Sequence, residues 1–356
     1  MSVHLGMRRS GYLGTLGVIT VAAALGQSGE ALELNEKGLA AANRGDQAGA
    51  ERLYRQSIAV WRKLGAGYEA HLGTTEFNLG QALCAMGRRT EAKAELEEAV
   101  TLLRGSLGVR YLNTLSAINY LGGLELMVGD SARAEALFNE VLPVERALYP
   151  KDKQMALTLG GLSSIRIRAG KIAEALPLAE EGLTLALAVD GELSIYGALA
   201  YANVAAVHKW AGRYERALPL YRKSLSIYEK LLGPEHPRVA SILGEIGLLE
   251  MQEGNFTLAE RDMQRSLDIV RRPPGWAFEE WIGESNLGTL RYRQGKFNDA
   301  ARLLAHSLSM QEQAGIHGGL DLAVTLDTLA RVREKQRRFE DAKQLRERAV
   351  MVSSFQ

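Results

Sequence analysis

The 356-residue sequence predicts an all-α protein: about eight antiparallel helix pairs stacked into a solenoid. Three observations carry that reading. Small and helix-ending residues recur in register about every 42 positions. The apolar residues between them fall at helical rather than alternating spacing. The 37 glycines, many for a helical chain, gather where such an array needs turns and close approaches. A unit of this size cannot bury its apolar face alone, so it stacks on its neighbours.

Composition narrows the function classes. Lys and Arg total 43 against 42 Asp and Glu, so no bulk positive field calls for nucleic acid. The single cysteine, Cys84, excludes an intramolecular disulfide framework and any cysteine-based metal cluster.

Taken in order, the first element is a leader over residues 1–26. Arg8 and Arg9 precede an uncharged, largely apolar stretch that ends in small residues, the order of a secretory signal peptide. Cleavage is expected after Ala24 or Gly26, which makes the protein exported, to the periplasm or beyond. No cysteine follows the apolar stretch, so lipid attachment there is excluded. The alternative is an uncleaved membrane anchor over residues 11–25. Four glycines in and before this segment (Gly6, Gly11, Gly14 and Gly17) weaken it as a spanning helix, which needs about 20 apolar residues.

Residues 27–356 form the array, with units near 31–70, 71–112, 113–153, 154–195, 196–237, 238–278, 279–320 and 321–356. A turn glycine recurs at Gly45, Gly87, Gly129, Gly170, Gly212, Gly254 and Gly295, and Arg337 stands in the eighth place. Five positions later comes alanine: Ala50, Ala92, Ala134, Ala175, Ala217, Ala259, Ala300 and Ala342. Seven positions before each turn sits another small residue: Gly38, Gly80, Gly122, Ser163, Ala205, Gly247, Gly288 and Ala330. The turn glycine ends one helix in the left-handed conformation, and the two small columns let the paired helices approach. Pro177 and Pro219 lie early in consecutive second helices, where they bend rather than break. Gly-Pro-Glu-His-Pro at residues 233–237 is the stop between the fifth and sixth pairs. The last second helix is charged where an inner unit buries apolar atoms, so it reads as an end cap.

With these residues in view, the chain resembles the tetratricopeptide repeat family. That family sets a Leu-Gly or Leu-Ala pair in helix A against an Ala and an aromatic in helix B. Here Leu79-Gly80, Leu121-Gly122, Leu287-Gly288 and Leu329-Ala330 match the first pattern, and Ala134 with Phe138 or Ala217 with Tyr221 the second. The first and fourth units depart from it at Lys37-Gly38 and Leu162-Ser163. The period exceeds the roughly 34 residues of the ordinary repeat and is similar to the longer kinesin-light-chain subtype. The junction Leu232-Gly233-Pro234-Glu235-His236-Pro237-Arg238-Val239-Ala240 carries that likeness. The resemblance implies a right-handed solenoid that binds an extended peptide or a partner's helix along its A-helix face, without catalysis.

No nucleotide loop, dinucleotide fingerprint, zinc-protease motif or nucleophile elbow occurs, and the six histidines are scattered. The expectation is no enzyme, no cofactor, no metal, no nucleic acid and no small-molecule substrate. The partner is a protein or peptide; a membrane enters only if the leader stays attached. Candidate groove residues are Asn78, Asn203 and Asn286, one position before the Leu-Gly column, and Asn119, two before it. An amide pairs with a ligand's backbone whatever its sequence, though the same asparagines could instead bridge neighbouring helices. Lys209, Arg293 and Arg331, late in helix A, would favour an acidic ligand or a C-terminal carboxylate. Arg166 and Arg291 lie in the same region. Trp210 is a candidate anchor. A self-associating or membrane-anchored structural array is the alternative.

Overall fold

The fold comes from a computed structural model that describes residues 11–272, 277–313, 316 and 320–353. Among the described residues there are sixteen helices and no strand. The A helices are α1 (Gly11–Asn43), α3 (Glu69–Ala85), α5 (Leu112–Val128), α7 (Lys153–Arg168), α9 (Ile195–Trp210), α11 (Pro237–Gln252), α13 (Ala277–Arg293) and α15 (Leu320–Lys335). The B helices are α2 (Gln47–Leu64), α4 (Arg89–Ser106), α6 (Ser131–Leu148), α8 (Ile172–Asp190), α10 (Tyr214–Leu232), α12 (Phe256–Arg271), α14 (Phe297–Gln313) and α16 (Phe339–Ser353). The chain divides into two compact units, Met1–Ala117 and Ile118–Gln356. Residues 1–10 of the expected leader lie outside the described residues, and residues 11–25 are helical, continuous with the rest of α1.

Local chemistry explains the boundaries. Between paired helices the turn residue takes a positive φ, for example +76° at Gly87 and +69° at Gly212. Arg337 adopts the same conformation at +63° without being glycine. Asp46, Asp130 and Ser194 each accept a hydrogen bond from the backbone N–H three residues on, satisfying an otherwise orphaned donor. At the Gly-Pro-Glu-His-Pro break, α10 ends on Gly233 at φ +90°. His236 then caps α11, its Nδ1 accepting from the Arg238 N–H at 3.1 Å, with Pro237 in the first turn. The α8 and α10 helices run on through Pro177 and Pro219.

The columns pack as their sizes dictate. All eight column alanines are buried. The small residue of helix A faces a bulkier one sixteen positions later in helix B. A Cβ added to Gly38 would sit 2.6 Å from the Tyr54 ring, one on Gly80 2.7 Å from Leu96, and one on Gly247 2.6 Å from Met263. In the first unit Tyr54, Trp61, Leu83, Leu96 and Leu103 are buried. In the second, the largest apolar cluster joins α9 to α13 around Tyr221, Tyr228, Leu243 and Ile246. One further column was not read from the sequence: Ser57, Ser266 and Ser307 each donate from helix B to an early helix-A carbonyl, at 2.7, 2.7 and 2.8 Å.

Candidate inner-face site

The B helices α2, α8, α10, α12 and α14 each pack between the A helices before and after them, while successive A helices also touch directly, as α1 does α3, α7 does α9 and α11 does α13. The A helices are thus the closely spaced layer. In the unit from Ile118 onward this layer curves sharply. Asp321, opening α15, lies within electrostatic reach of Arg168 at the end of α7, although α9, α11 and α13 intervene. A flat stack at about 10 Å per helix would hold them some 40 Å apart.

Arg168, Lys209 and Glu245 all act on Asp321 through space there. Asp321 is exposed at its surface, yet the protein around it desolvates its carboxyl enough to raise it above the usual range. Arg168 and Lys209 oppose the rise and Glu245 adds to it. Lys209 pairs with Glu245 and lies 5.7 Å from the Trp210 ring centroid. Trp210 itself is 52% exposed, unusual for so large an apolar group at the end of a packed helix. Arg168 and Arg293 are exposed and make no ion pair among the described residues. Arg331 is tied to Asp327 one turn back at 2.8 Å.

The asparagines divide into three cases. Asn203 and Asn286 sit where successive A helices touch, over Gly160 and Gly244, and make no side-chain hydrogen bond among the described residues. A Cβ on Gly160 would stand 2.2 Å from the Asn203 amide nitrogen. Asn78 donates to Asn35 at 3.0 Å. Asn119 is removed from the groove candidates. It is buried, donating to Glu145 at 2.7 Å and accepting from Thr158 at 2.8 Å. Its amide bridges the stack and supports a buried carboxylate whose pKa burial raises. Arg166 and Arg291 are also committed, the first to Glu135 and Glu174, the second to Glu260. Hydrogen bonds from Arg291 and then Gln294 hold the Glu260 carboxyl down to about 2.

Besides Glu145, two buried glutamates escaped sequence reasoning. Glu76 and Glu284 occupy the helix-A position filled in other units by Ile118, Leu159, Leu243 and Leu326. Each is met by an arginine from the end of the preceding B helix, Arg62 and Arg271 respectively. In the sequence the signal was a carboxylate in an otherwise apolar column. Glu76, Glu95 and Glu98 bring oxygens within 4.8 Å of one another, but the Arg62 guanidinium already bridges Glu76 and Glu98 at 2.9 and 3.0 Å. Burial, then the Glu95 carboxyl, push Glu76 well above the carboxylate range. The raised Glu76, Arg62 on Glu98 and Arg55 at 3.5 Å from Glu95 thus answer the cluster's negative charge.

A tetratricopeptide repeat model matches residues 71–147, 196–272 and 282–350, and a second tetratricopeptide repeat model matches residues 31–64, together more than half the chain. Protein KINESIN LIGHT CHAIN-RELATED 1 of Arabidopsis thaliana is 22% identical over 314 residues, which is 74% of this chain and 52% of that protein. A clustered mitochondria protein homolog of Candida albicans is 25% identical over 177 residues, 48% of this chain and 13% of that one. The chain thus spans about half or less of the length of these curated relatives. Among solved structures, a Rap protein complexed with competence and sporulation factor superposes with a TM-score of 0.69 at 12% identity, over 91% of this chain and 85% of that one. That likeness is one of fold.

Proposed function

The chain belongs to the tetratricopeptide repeat family, with repeats of the kinesin-light-chain kind, and from that premise we propose that it is a non-catalytic scaffold holding an extended peptide or helix of a partner protein along its A-helix face. Scaffolds of this family bind proteins; the finer reading concerns where and how. The observation that carries it is the convergence of Arg168, Lys209, Glu245 and Asp321 beside the exposed Trp210. An aromatic anchor beside mixed charges suits an amphipathic segment. The open amides of Asn203 and Asn286 would pair with its backbone. A Rap protein of this fold is complexed with a separate factor, consistent with the architecture serving as a receptor surface.

The test is quantitative capture from native extract with wild type, a Trp210→Ala/Asn203→Ala/Asn286→Ala variant, and an outer-face Arg302→Ala variant. A partner kept by wild type and Arg302→Ala but lost by the folded triple variant supports the reading. Retention by the triple variant sinks it. Export is part of the same proposal, supported by Arg8, Arg9 and the apolar stretch after them. An intact mass that retains Met1 would overturn that part.

A further inference from the structure

A second surface stands apart from the inner face, at the loop edge where the α13–α14 and α15–α16 turns meet. A depression of about 760 Å³ there is lined by Lys296, Arg333, Lys335 and Arg338, with Asp299 the one carboxylate in its wall. Arg338 is held by Asp341. Asp299 lies 3.8 Å from Arg302. Lys296, Arg333 and Lys335 make no ion pair among the described residues.

Comparison among units shows what has changed. Arg166, Arg291 and Arg333 occupy the same place late in helix A. In the first two cases the preceding B helix supplies a glutamate directly after its column alanine: Glu135 after Ala134, Glu260 after Ala259. After Ala300 comes Ala301, so the preceding B helix offers Arg333 no carboxylate to pair with. The Arg333 guanidinium hydrogen-bonds only a neutral amide, Gln336, at 2.9 Å. Gln336 in turn donates to Asn298 at 2.9 Å. Desolvation and then repulsion from Arg338 lower the Arg333 pKa, only partly offset by Asp341 on the following helix, so this cation gains by meeting a further anion.

We propose that this depression is a recognition site for an acidic peptide segment of a partner protein, whose carboxylates replace the counter-ion that Ala301 removes. Three cations outside any ion pair around one concavity match two or three clustered carboxylates, with Arg333 offering a bidentate fork. A chain of near-zero net charge lacks the extended field a polymer of phosphates calls for. The site is independent of the inner-face reading.

Fluorescence-polarisation titration with labelled octaglutamate, on the full chain at low salt, tests it. Wild type is expected to bind, with affinity falling as salt screens the contact. Arg333→Gln/Lys335→Gln should weaken binding about tenfold or more, the loss of at least one charged hydrogen bond. Asn298→Asp leaves every cation in place and adds a carboxylate of nearly the same shape to the wall, and it should weaken binding comparably. Lys230→Gln, exposed on α10 and outside the depression's wall, should bind like wild type. No binding at low salt, binding unchanged in Asn298→Asp, or equal loss in Lys230→Gln overturns the assignment. So does stronger competition by a single-stranded oligoribonucleotide than by unlabelled octaglutamate, which would give the patch to nucleic acid.

Discussion

Two adjacent glycines should respond oppositely to one methyl group. Gly122 and Gly123 both lie inside α5, where exchanging glycine for alanine alone gains about 1 kcal/mol through backbone entropy. At Gly123 the added Cβ meets nothing within 4 Å, so that gain is kept. At Gly122 it would stand 2.8 Å from Cε1 and 3.0 Å from Cζ of Phe138. The ring cannot yield, because its other edge faces Gly161, where an ideal Cβ position is only 2.5 Å away. Overpacking a rigid aromatic costs about 1–3 kcal/mol. Gly122→Ala is therefore expected to be destabilised by up to about 2 kcal/mol net, and Gly123→Ala stabilised by up to about 1 kcal/mol. Urea unfolding followed by circular dichroism gives both values, provided the slopes agree. Adding Phe138→Leu to Gly122→Ala should recover part of the loss, a coupling that the double-mutant cycle reads directly. The same sign for both glycine variants would refute the packing argument.

Other outcomes follow from the same contacts. Arg337→Gly should stabilise by about 1 kcal/mol, since it relieves a side chain held at positive φ; a lower melting temperature would contradict this. Asn119→Ala leaves the buried Glu145 with Thr158 as its remaining side-chain partner and should cost about 2–3 kcal/mol, read by thermal unfolding. Because Glu76 has a raised pKa in the folded state, its contribution is fully present below the unfolded carboxylate range and lost as pH rises through the folded value. Glu76→Gln should flatten the alkaline side of the stability profile and exceed wild type by about 1–3 kcal/mol near pH 9. Parallel profiles for the two proteins would reject that account.

What was legible in the sequence was whatever a helix–helix distance imposes on a single residue type. The turn glycines, the column alanines and the small residues opposite Tyr54 or Met263 are each demanded by local sterics, so they repeat in register. What was not legible depends on contacts between units. Asn119 and Asn203 look alike in sequence, but their registers differ by one residue, about 100° around the helix. That rotation buries one amide against Glu145 and leaves the other at the A-helix seam. Arg166 and Arg291 read as free groove cations until the preceding B helix brought Glu135 and Glu260 to them. Asp321 was overlooked because it is early in its helix, and only the curvature of the layer carries it to Arg168 and Lys209.

Site-specific photo-crosslinking tests the central claim, that the A-helix face is where a partner is held, most directly. A photoreactive phenylalanine analogue is placed at Trp210 on the inner face or at Lys230 on the B helix α10, and the native extract is irradiated. The account predicts a discrete protein adduct from position 210 and none from position 230. An adduct from position 230 alone, or the same products from both, would contradict it.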